Sequence, residues 1–247
     1  MSDDLDSIQI NLNSKFATRY INDSHCNCVF DLPNMYIPNQ HHIHLSVVNA
    51  IIPYSFYNIN LSNNILIYIV DGVPYTLNVV VGNYNSIQLA TYFTNNMSGF
   101  DCSYNSITNK FVFTNNLSDF TFISISTCLK TIGFHKENVT SASLILASQF
   151  CSNLQSIQCI HIKSNFMTGN INSSNIYIQD TICTIPVNTP PNSNIVYHNT
   201  NRFTTNLYSN ILNDIVIKIV SQDNDLLDLN GLDWSITLQF DIVDFVN

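Results

Sequence analysis

The apolar positions of this chain recur mostly at every second residue, or fall in short runs rich in Ile, Val, Phe and Tyr. A period of two is typical of β-strands, because successive side chains point to opposite faces of the sheet. The chain is therefore predicted to be all-β. The predicted strands are Cys26–Leu32, Ile43–Ile52, Ile65–Val70, Tyr75–Val81, Asp101–Tyr104, Lys110–Thr114, Phe120–Ile125, Ser156–Lys163, Ile176–Ile185, Ile211–Val220 and Trp234–Phe245.

Two segments have the features of helix instead. From Ser86 to about Asn96 the apolar residues follow helical spacing, and Asn85 or Ser86 can cap the first turn. A short helical turn is predicted over Thr127–Ile132. It would end at Gly133, where a left-handed conformation costs least.

Turn and loop residues separate the strands. Asp71-Gly72 predicts a tight hairpin turn, because both central residues of a type I′ turn need positive φ. Pro74 just beyond it indicates an edge strand. The segment Ser141–Ala147 is apolar but ambiguous, and Pro186–Asn206, rich in Asn, Pro and Thr, predicts a long surface loop.

Eight or more mostly antiparallel strands with one early helix predict a single jelly-roll sandwich of two antiparallel sheets, with long loop insertions. The chain of 247 residues is longer than such a sandwich needs. We expect a polar N-terminal arm over residues 1–23 and a jelly-roll domain over 24–247. The surplus would be a loop insertion around 133–206, since no sharp change of composition divides two domains.

The segment Ile43–Tyr57 carries the most information about packing. It begins as a strand, which Pro53 ends, and then continues into an aromatic string. Tyr54, Phe56 and Tyr57 either pack against a neighbouring subunit or cap their own core. Trp234, the lone Trp, is predicted to lie in the core.

Composition limits the classes of function. Charged residues make up 10% of the chain, the formal net charge is −9, and Lys and Arg form no cluster. These values argue against sequence-independent nucleic-acid binding and against docking on anionic lipid. The low charge suits subunit contacts, although an AT-rich coding sequence would also explain it. We expect no secretory signal or membrane-spanning segment, and synthesis in the cytosol.

Alternating Cys and His residues raise the question of a zinc site. Pairs two residues apart share one face of a strand, and two such pairs on neighbouring strands could bind Zn²⁺. Any strand produces this spacing, however, and no Cys-x-x-Cys knuckle is present, so we expect no metal. The pairs are Cys26 with Cys28, His42 with His44, and Cys159 with His161.

An acidic connection near the C-terminus raises the same question for calcium. Two leucines interrupt the ligand spacing of a calcium loop, and no Glu follows. We expect these side chains to shape a turn, with Gly231 supplying positive φ. The residues concerned are Asp223, Asp225, Asp228, Asn230 and Asp233.

No catalytic motif is present. The sequence contains no Gly-x-Ser-x-Gly elbow and no phosphate-binding loop, and Glu137 is its only Glu. A catalytic Cys–His pair, brought together by the fold from distant parts of the sequence, stays an open alternative. We therefore expect no enzyme activity, no catalytic residue and no cofactor.

An ordered set of segments resembles the single jelly-roll penton or minor capsid proteins of virophages, polinton-like viruses and related large DNA viruses. No single segment is specific to these proteins, but the order in which the segments occur along the chain is. These segments are Val29–Pro33, Asn49–Ile59, Gly82–Ser86, Ile215–Ile219 and Asp228–Leu238.

The resemblance implies a non-enzymatic capsid protein that forms a homopentamer at the vertices of an icosahedral virion. Its implied partners are the major capsid protein trimers around the vertex, and assembly would take place in the host cytoplasm. An alternative is a jelly-roll module for host attachment or glycan binding. The capsid role and the attachment role are compatible, since an insertion at an exposed vertex could contact a host receptor.

Overall fold

A computed structural model describes residues 7–36, 41–155, 157–166, 180–207 and 211–244 of the chain. The chain divides into two compact units, a first unit of Met1–Phe56 with Ile157–Asn247 and a second unit of Tyr57–Ser156. The elements are β1 (Ser7–Asn13), a 3-10 turn (Ser14–Phe16), β2 (Arg19–Ile21), β3 (Ser24–Tyr36), β4 (His41–Pro53), β5 (Ile65–Val70), β6 (Val73–Asn78), α1 (Ser86–Asn96), β7 (Phe100–Asn105), β8 (Lys110–Asn115), β9 (Phe120–Phe122), β10 (Val139–Thr140), β11 (Ile145–Ala147), β12 (Cys159–Ser164), β13 (Thr181–Pro186), β14 (Asn194–His198), β15 (Thr205–Leu207), β16 (Ile211–Ser221) and β17 (Ser235–Asp244).

The first unit is a sandwich of two antiparallel sheets. The first sheet has the order β1-β17-β4-β14, with β15 also pairing with β4, and the second sheet has the order β13-β12-β16-β3-β2. The chain crosses repeatedly between the two sheets, from β3 to β4, from β13 to β14, from β15 to β16 and from β16 to β17, as it does in a jelly roll. The predicted all-β jelly-roll fold is confirmed.

The middle strands of each sheet supply the core of the first unit. Ile215, Ile217 and Ile219 of β16 alternate inward from the second sheet. Leu238 and Phe240 of β17 do the same from the first. The clear period-two pattern of these two strands arises because each has one face on the core and one face away from it.

The second unit is inserted between β4 and β12. It contains a four-stranded sheet in the order β10-β9-β5-β6, a three-stranded sheet in the order β11-β8-β7, and α1. Helix α1 has the predicted bounds. Asn85 and Gln88 cap it reciprocally, and Leu89 and Phe93 are buried in the core of this unit. In the described part of the chain, no helix is long and apolar enough to span a membrane.

Two predicted turns have the expected backbone. Asp71 and Gly72 have φ of +50° and +77°, as a type I′ hairpin requires. Gly133 has φ of +88°, and the amide of Phe134 donates to the carbonyl of Leu129 at 2.8 Å. This bond is the outer bond of a Schellman motif, so the turn before Gly133 ends as predicted.

The domain organisation differs from the predicted one. Most of the expected arm is ordered within the sandwich, because β1 pairs along its whole length with β17, and β2 pairs with β3. The inserted unit is Tyr57–Ser156, whereas the predicted insertion covers 133–206. Residues 1–6 of the predicted arm and 167–179 of the predicted insertion lie outside the described residues.

The surface loop predicted over Pro186–Asn206 is wrong in two places. Asn194–His198 forms β14 and Thr205–Leu207 forms β15, both paired with β4. These segments are strands because the free edge of β4 supplies hydrogen-bond partners, which local sequence does not indicate. In the ambiguous segment Ser141–Ala147, the last three residues form β11.

Candidate functional site

The structure separates the Cys and His pairs that the sequence offered as candidate zinc ligands. Cys26 and Cys28 lie on β3 in the second sheet, whereas His44 lies on β4 in the first sheet. The side chain of His42 lies outside the described part. Both cysteines are buried in the core, and burial raises the pKa of Cys26 to about 12 and of Cys28 to about 11. Such thiols stay protonated, whereas a metal ligand must be a thiolate.

Cys159 and His161 are neighbours on β12, with 4.0 Å between Sγ and Nε2. Burial raises the pKa of the Cys159 thiol, and Asp223 raises it further. Burial lowers the pKa of the His161 imidazole, and Lys163 lowers it further. Both groups are therefore held neutral, which is the reverse of the thiolate–imidazolium pair of a cysteine nucleophile. In the described residues, no three His, Cys, Asp or Glu side chains gather as a metal-binding group.

The acidic connection acts as a structural turn. Asp228 Oδ1 accepts a hydrogen bond of 2.8 Å from the amide of Asn230, and Asn230 Nδ2 donates to the carbonyl of Ser55. Gly231 has φ of +78°, as expected. Asp223 accepts from Gln222 at 3.2 Å, and the amide of Asp225 donates to Ser221 Oγ at 3.3 Å. The predicted turn-forming role is therefore visible for Asp228, Asn230 and Gly231.

Asp233 instead joins distant parts of the first unit. Its Oδ1 accepts from Ser14 Oγ at 2.7 Å and lies 3.1 Å from His25 Nδ1. Ser14 is fully buried, and its Oγ also accepts from the amide of Trp234 at 3.1 Å. The ring of His25 stacks on Tyr20, with 4.7 Å between ring centroids. This network fixes the 3-10 turn against the start of β17.

The aromatic string has two environments. Tyr54 and Phe56 stack with their ring centroids 4.3 Å apart, and both are buried in the core of the first unit. These two residues therefore cap their own core, which is one of the two alternatives left open by the sequence. Tyr57 is exposed. Trp234 is buried as predicted, edge-on to Phe30 at 5.9 Å between centroids.

The described part of the first unit has two open sides, where its edge strands lie. On one side are β1 of the first sheet and β2 of the second, joined by the 3-10 turn; we name this the β1/β2 side. On the opposite side are β14 of the first sheet and β13 of the second; we name this the β13/β14 side. Phe16 on the β1/β2 side is 75% exposed.

The β13/β14 side contains a cavity of about 330 Å³. Cys183 on β13 and Tyr197 on β14 face this cavity, and burial strongly raises the pKa of Tyr197, with Cys183 raising it further. Phe203 is 52% exposed at the cavity. The residues that line the cavity are Thr181, Ile182, Cys183, Thr184, Tyr197 and Phe203.

Phe16, Tyr197 and Phe203 are not among the residues for which the sequence predicted a role. Phe16 and Phe203 share a signal that could have been noticed, since each is a lone aromatic residue in a polar stretch. The cavity has no such signal, because it forms only where β13 and β14 come together from different sheets.

The sandwich of two antiparallel sheets, with the chain crossing between them, defines a jelly-roll protein. Among solved structures, the chain is similar in fold to the crystal structure of the mavirus penton protein, with a TM-score of 0.54 and 13% sequence identity. The match covers 96% of this chain and 100% of that protein, so the likeness of fold includes both units. No protein-family model and no curated protein matches the chain.

Proposed function

We propose that this chain is a structural capsid protein that forms the pentameric vertex of an icosahedral virion. The observation that carries the proposal is the likeness of fold to the mavirus penton protein over nearly all of both chains. The two open sides of the first unit support it, because a closed ring needs two different surfaces on each subunit. The function is then mechanical, and the chain acts without catalysis or a cofactor.

The charge of the protein is compatible with such contacts. Charged residues make up 10% of the chain, against about a quarter in an average protein. β1 (Ser7–Asn13), β13 (Thr181–Pro186) and β14 (Asn194–His198) contain no Asp, Glu, Lys or Arg. Burying these strands in a ring therefore removes few charges from water, which keeps the desolvation cost of assembly low.

The partners in this proposal are other copies of the chain and the major capsid protein trimers around the vertex. The protein would be made and assembled in the host cytoplasm and would reside in the virion capsid. A host receptor or glycan could bind the outward surface. The chain has no cluster of Lys or Arg for a specific nucleic acid.

Light scattering after size exclusion, with negative-stain images of the main peak, tests the proposal. We expect a mass five times that of the 27.9 kDa subunit, and rings with five-fold symmetry. The mass should change little between low and molar salt, because uncharged contacts are not screened. A single-subunit mass at all concentrations, together with no incorporation into capsids on co-expression with the major capsid protein, would contradict the proposal. In that case, binding to a glycan array at one ligand per monomer would favour the attachment module.

A further inference from the structure

Phe16 projects from a rigid base on the β1/β2 side. Its phenyl ring is 75% exposed, although the residue is at the end of a well-anchored 3-10 turn. The side chain of Asn13 caps this turn by accepting from the amide of Lys15 at 2.9 Å. Ser14 is held by Asp233, and its carbonyl accepts from the Tyr20 hydroxyl at 2.8 Å. The ring is thus held on a fixed support, so little backbone order has to be gained when a partner covers it.

The cavity on the β13/β14 side is also pre-formed. Asn199 clamps the backbone of Phe203 on both sides: Nδ2 donates to the carbonyl at 2.8 Å, and Oδ1 accepts from the amide at 2.9 Å. Cys183 of β13 and Tyr197 of β14 line the cavity beside it, so both sheets contribute to its wall. The cavity is at the lower end of the size of ligand pockets. Its lining is mixed, and Ile182, Tyr197 and Phe203 supply the apolar surface that an inserted ring can contact.

We propose that Phe16 of one subunit inserts into the β13/β14 cavity of the next copy of this chain. This inference rests on the proposed pentameric ring and names the contact that closes it. The exposed ring and the cavity lie on opposite sides of the same sandwich, so one subunit cannot use both on itself. Such a head-to-tail contact is the kind that generates a ring when its rotation closes.

Burial of the apolar ring supplies the attraction in this contact, and charges play a small part. Lys15 Nζ lies 6.0 Å from the Phe16 ring centroid and Arg19 follows on β2, so the inserted ring is bordered by cations. Asp180 precedes the cavity residue Thr181 and has the opposite charge, whereas Arg202 precedes Phe203 and has the same charge. The exposed charges therefore largely balance, and a rim of this kind contributes little energy.

Three single variants of the full chain test the contact by light scattering. Phe16→Asp places a charge on the inserting residue, and Phe203→Asp places one at the cavity, where the Asn199 clamp on the backbone is retained. Leu117→Asp is the control, since Leu117 is 86% exposed in the second unit. We expect each Phe variant to weaken association at least tenfold, while Leu117→Asp stays pentameric. Circular dichroism should show the same fold for all three.

Mixing the two Phe variants identifies the geometry. Phe16→Asp keeps an intact cavity and Phe203→Asp keeps an intact Phe16, so the mixture restores one contact per pair and no ring. Tagged Phe16→Asp should therefore retain untagged Phe203→Asp well above the amount of untagged Phe16→Asp that it retains. Equal retention would overturn the proposal.

The outcomes also separate this inference from the proposed function. If the wild-type protein is pentameric and Phe16→Asp is pentameric too, the insertion is refuted and the vertex function stands. The insertion is also refuted if another molecule, or another part of the chain, is found in the cavity of the pentamer. If the wild type forms no ring under any condition, both are overturned.

Discussion

The indole Nε1 of Trp234 donates a hydrogen bond of 2.6 Å to the backbone carbonyl of His25, a residue 209 positions earlier in the chain. This bond joins the start of β17 in the first sheet to β3 in the second sheet. The same corner contains the Ser14–Asp233 bond, so the two ends of the first unit are tied together beside the exposed Phe16. The network explains how a surface ring can be held in place by residues at the opposite end of the sequence.

Ser14→Ala should destabilise the first unit by about 1–3 kcal/mol, because it removes the donor to Asp233 and leaves the amide of Trp234 without its acceptor. Urea unfolding followed by the fluorescence of the lone Trp measures the change. Thr237→Ala is the control, since it removes an exposed bond to Asn11 on the same sheet and should cost less than about 1 kcal/mol. Equal losses in both variants would contradict the network.

Gly133→Ala should destabilise the second unit far more than Gly72→Ala. Both glycines have positive φ, so each substitution costs about 1–2 kcal/mol of backbone strain. A Cβ at Gly72 meets nothing within 4 Å, whereas a Cβ at Gly133 would collide with the carbonyl of Phe150. We expect Gly133→Ala to lower the free energy of unfolding by about 1–3 kcal/mol more than Gly72→Ala because of this overpacking. Far-UV circular dichroism during denaturant unfolding gives both values, and similar values would show that the close approach is relieved.

Asn85→Ala should cost about 0.5–2 kcal/mol, because both bonds of the cap with Gln88 are lost. Asn95→Ala is the matched control, since Asn95 is exposed near the end of the same helix and Ala is the better helix former. That control should be neutral or slightly stabilising. Thermal unfolding of the two variants side by side measures the contribution of the cap. A cap variant as stable as the control would refute it.

The protein should lose stability as the pH rises above about 9. Burial raises the pKa of the Cys26 thiol from an ordinary 9.0 to about 12, and that of Cys183 to about 11. The unfolded chain therefore releases these protons first, so the stabilisation is complete below pH 9 and is lost progressively as the pH approaches 11 to 12. Urea unfolding at successive pH values from neutral to about 11 should show a falling free energy of unfolding.

Two cysteine variants test the origin of that slope. Cys26→Ala removes a buried thiol and should flatten the decline, whereas Cys151→Ala removes an exposed one and should leave it unchanged. Stability that is constant or increasing over this range would contradict the prediction. Buried tyrosines such as Tyr54 and Tyr68, whose pKa burial raises from an ordinary 10.0, act in the same direction once the pH exceeds about 10.

Local features of the sequence predicted the elements that depend on nearby residues. Helix α1 follows from its apolar spacing and its Asn85 cap, and the Asp71-Gly72 turn follows from the need for two positive φ angles. The long strands β16 and β17 follow from alternation alone, because each covers one face of the core. These are interactions over a few residues, which a sequence displays directly.

Pairing with distant strands was not visible in the same way. The segment Ser7–Asn13 alternates Ile8, Ile10 and Leu12 with polar residues, a period that indicates a strand, but its partner β17 is decided only by the fold. Asn194–His198 is a strand because it pairs with the edge of β4. The inserted unit Tyr57–Ser156 has the same β-forming composition as the sandwich, so no shift in composition marks its bounds. Strand edges and unit boundaries are decided by which segments meet, and that is a property of the whole fold.

By itself, the sequence determined that the chain is all-β, that its surface has few charges, and that no catalytic motif is present. These follow from residue types and their period, which act locally. Only the tertiary structure decided that Cys26 and His44 lie in different sheets, and that Thr181, Tyr197 and Phe203 together form a cavity. The reason is that a surface site consists of side chains brought together from separate strands, and the sequence does not record their distances.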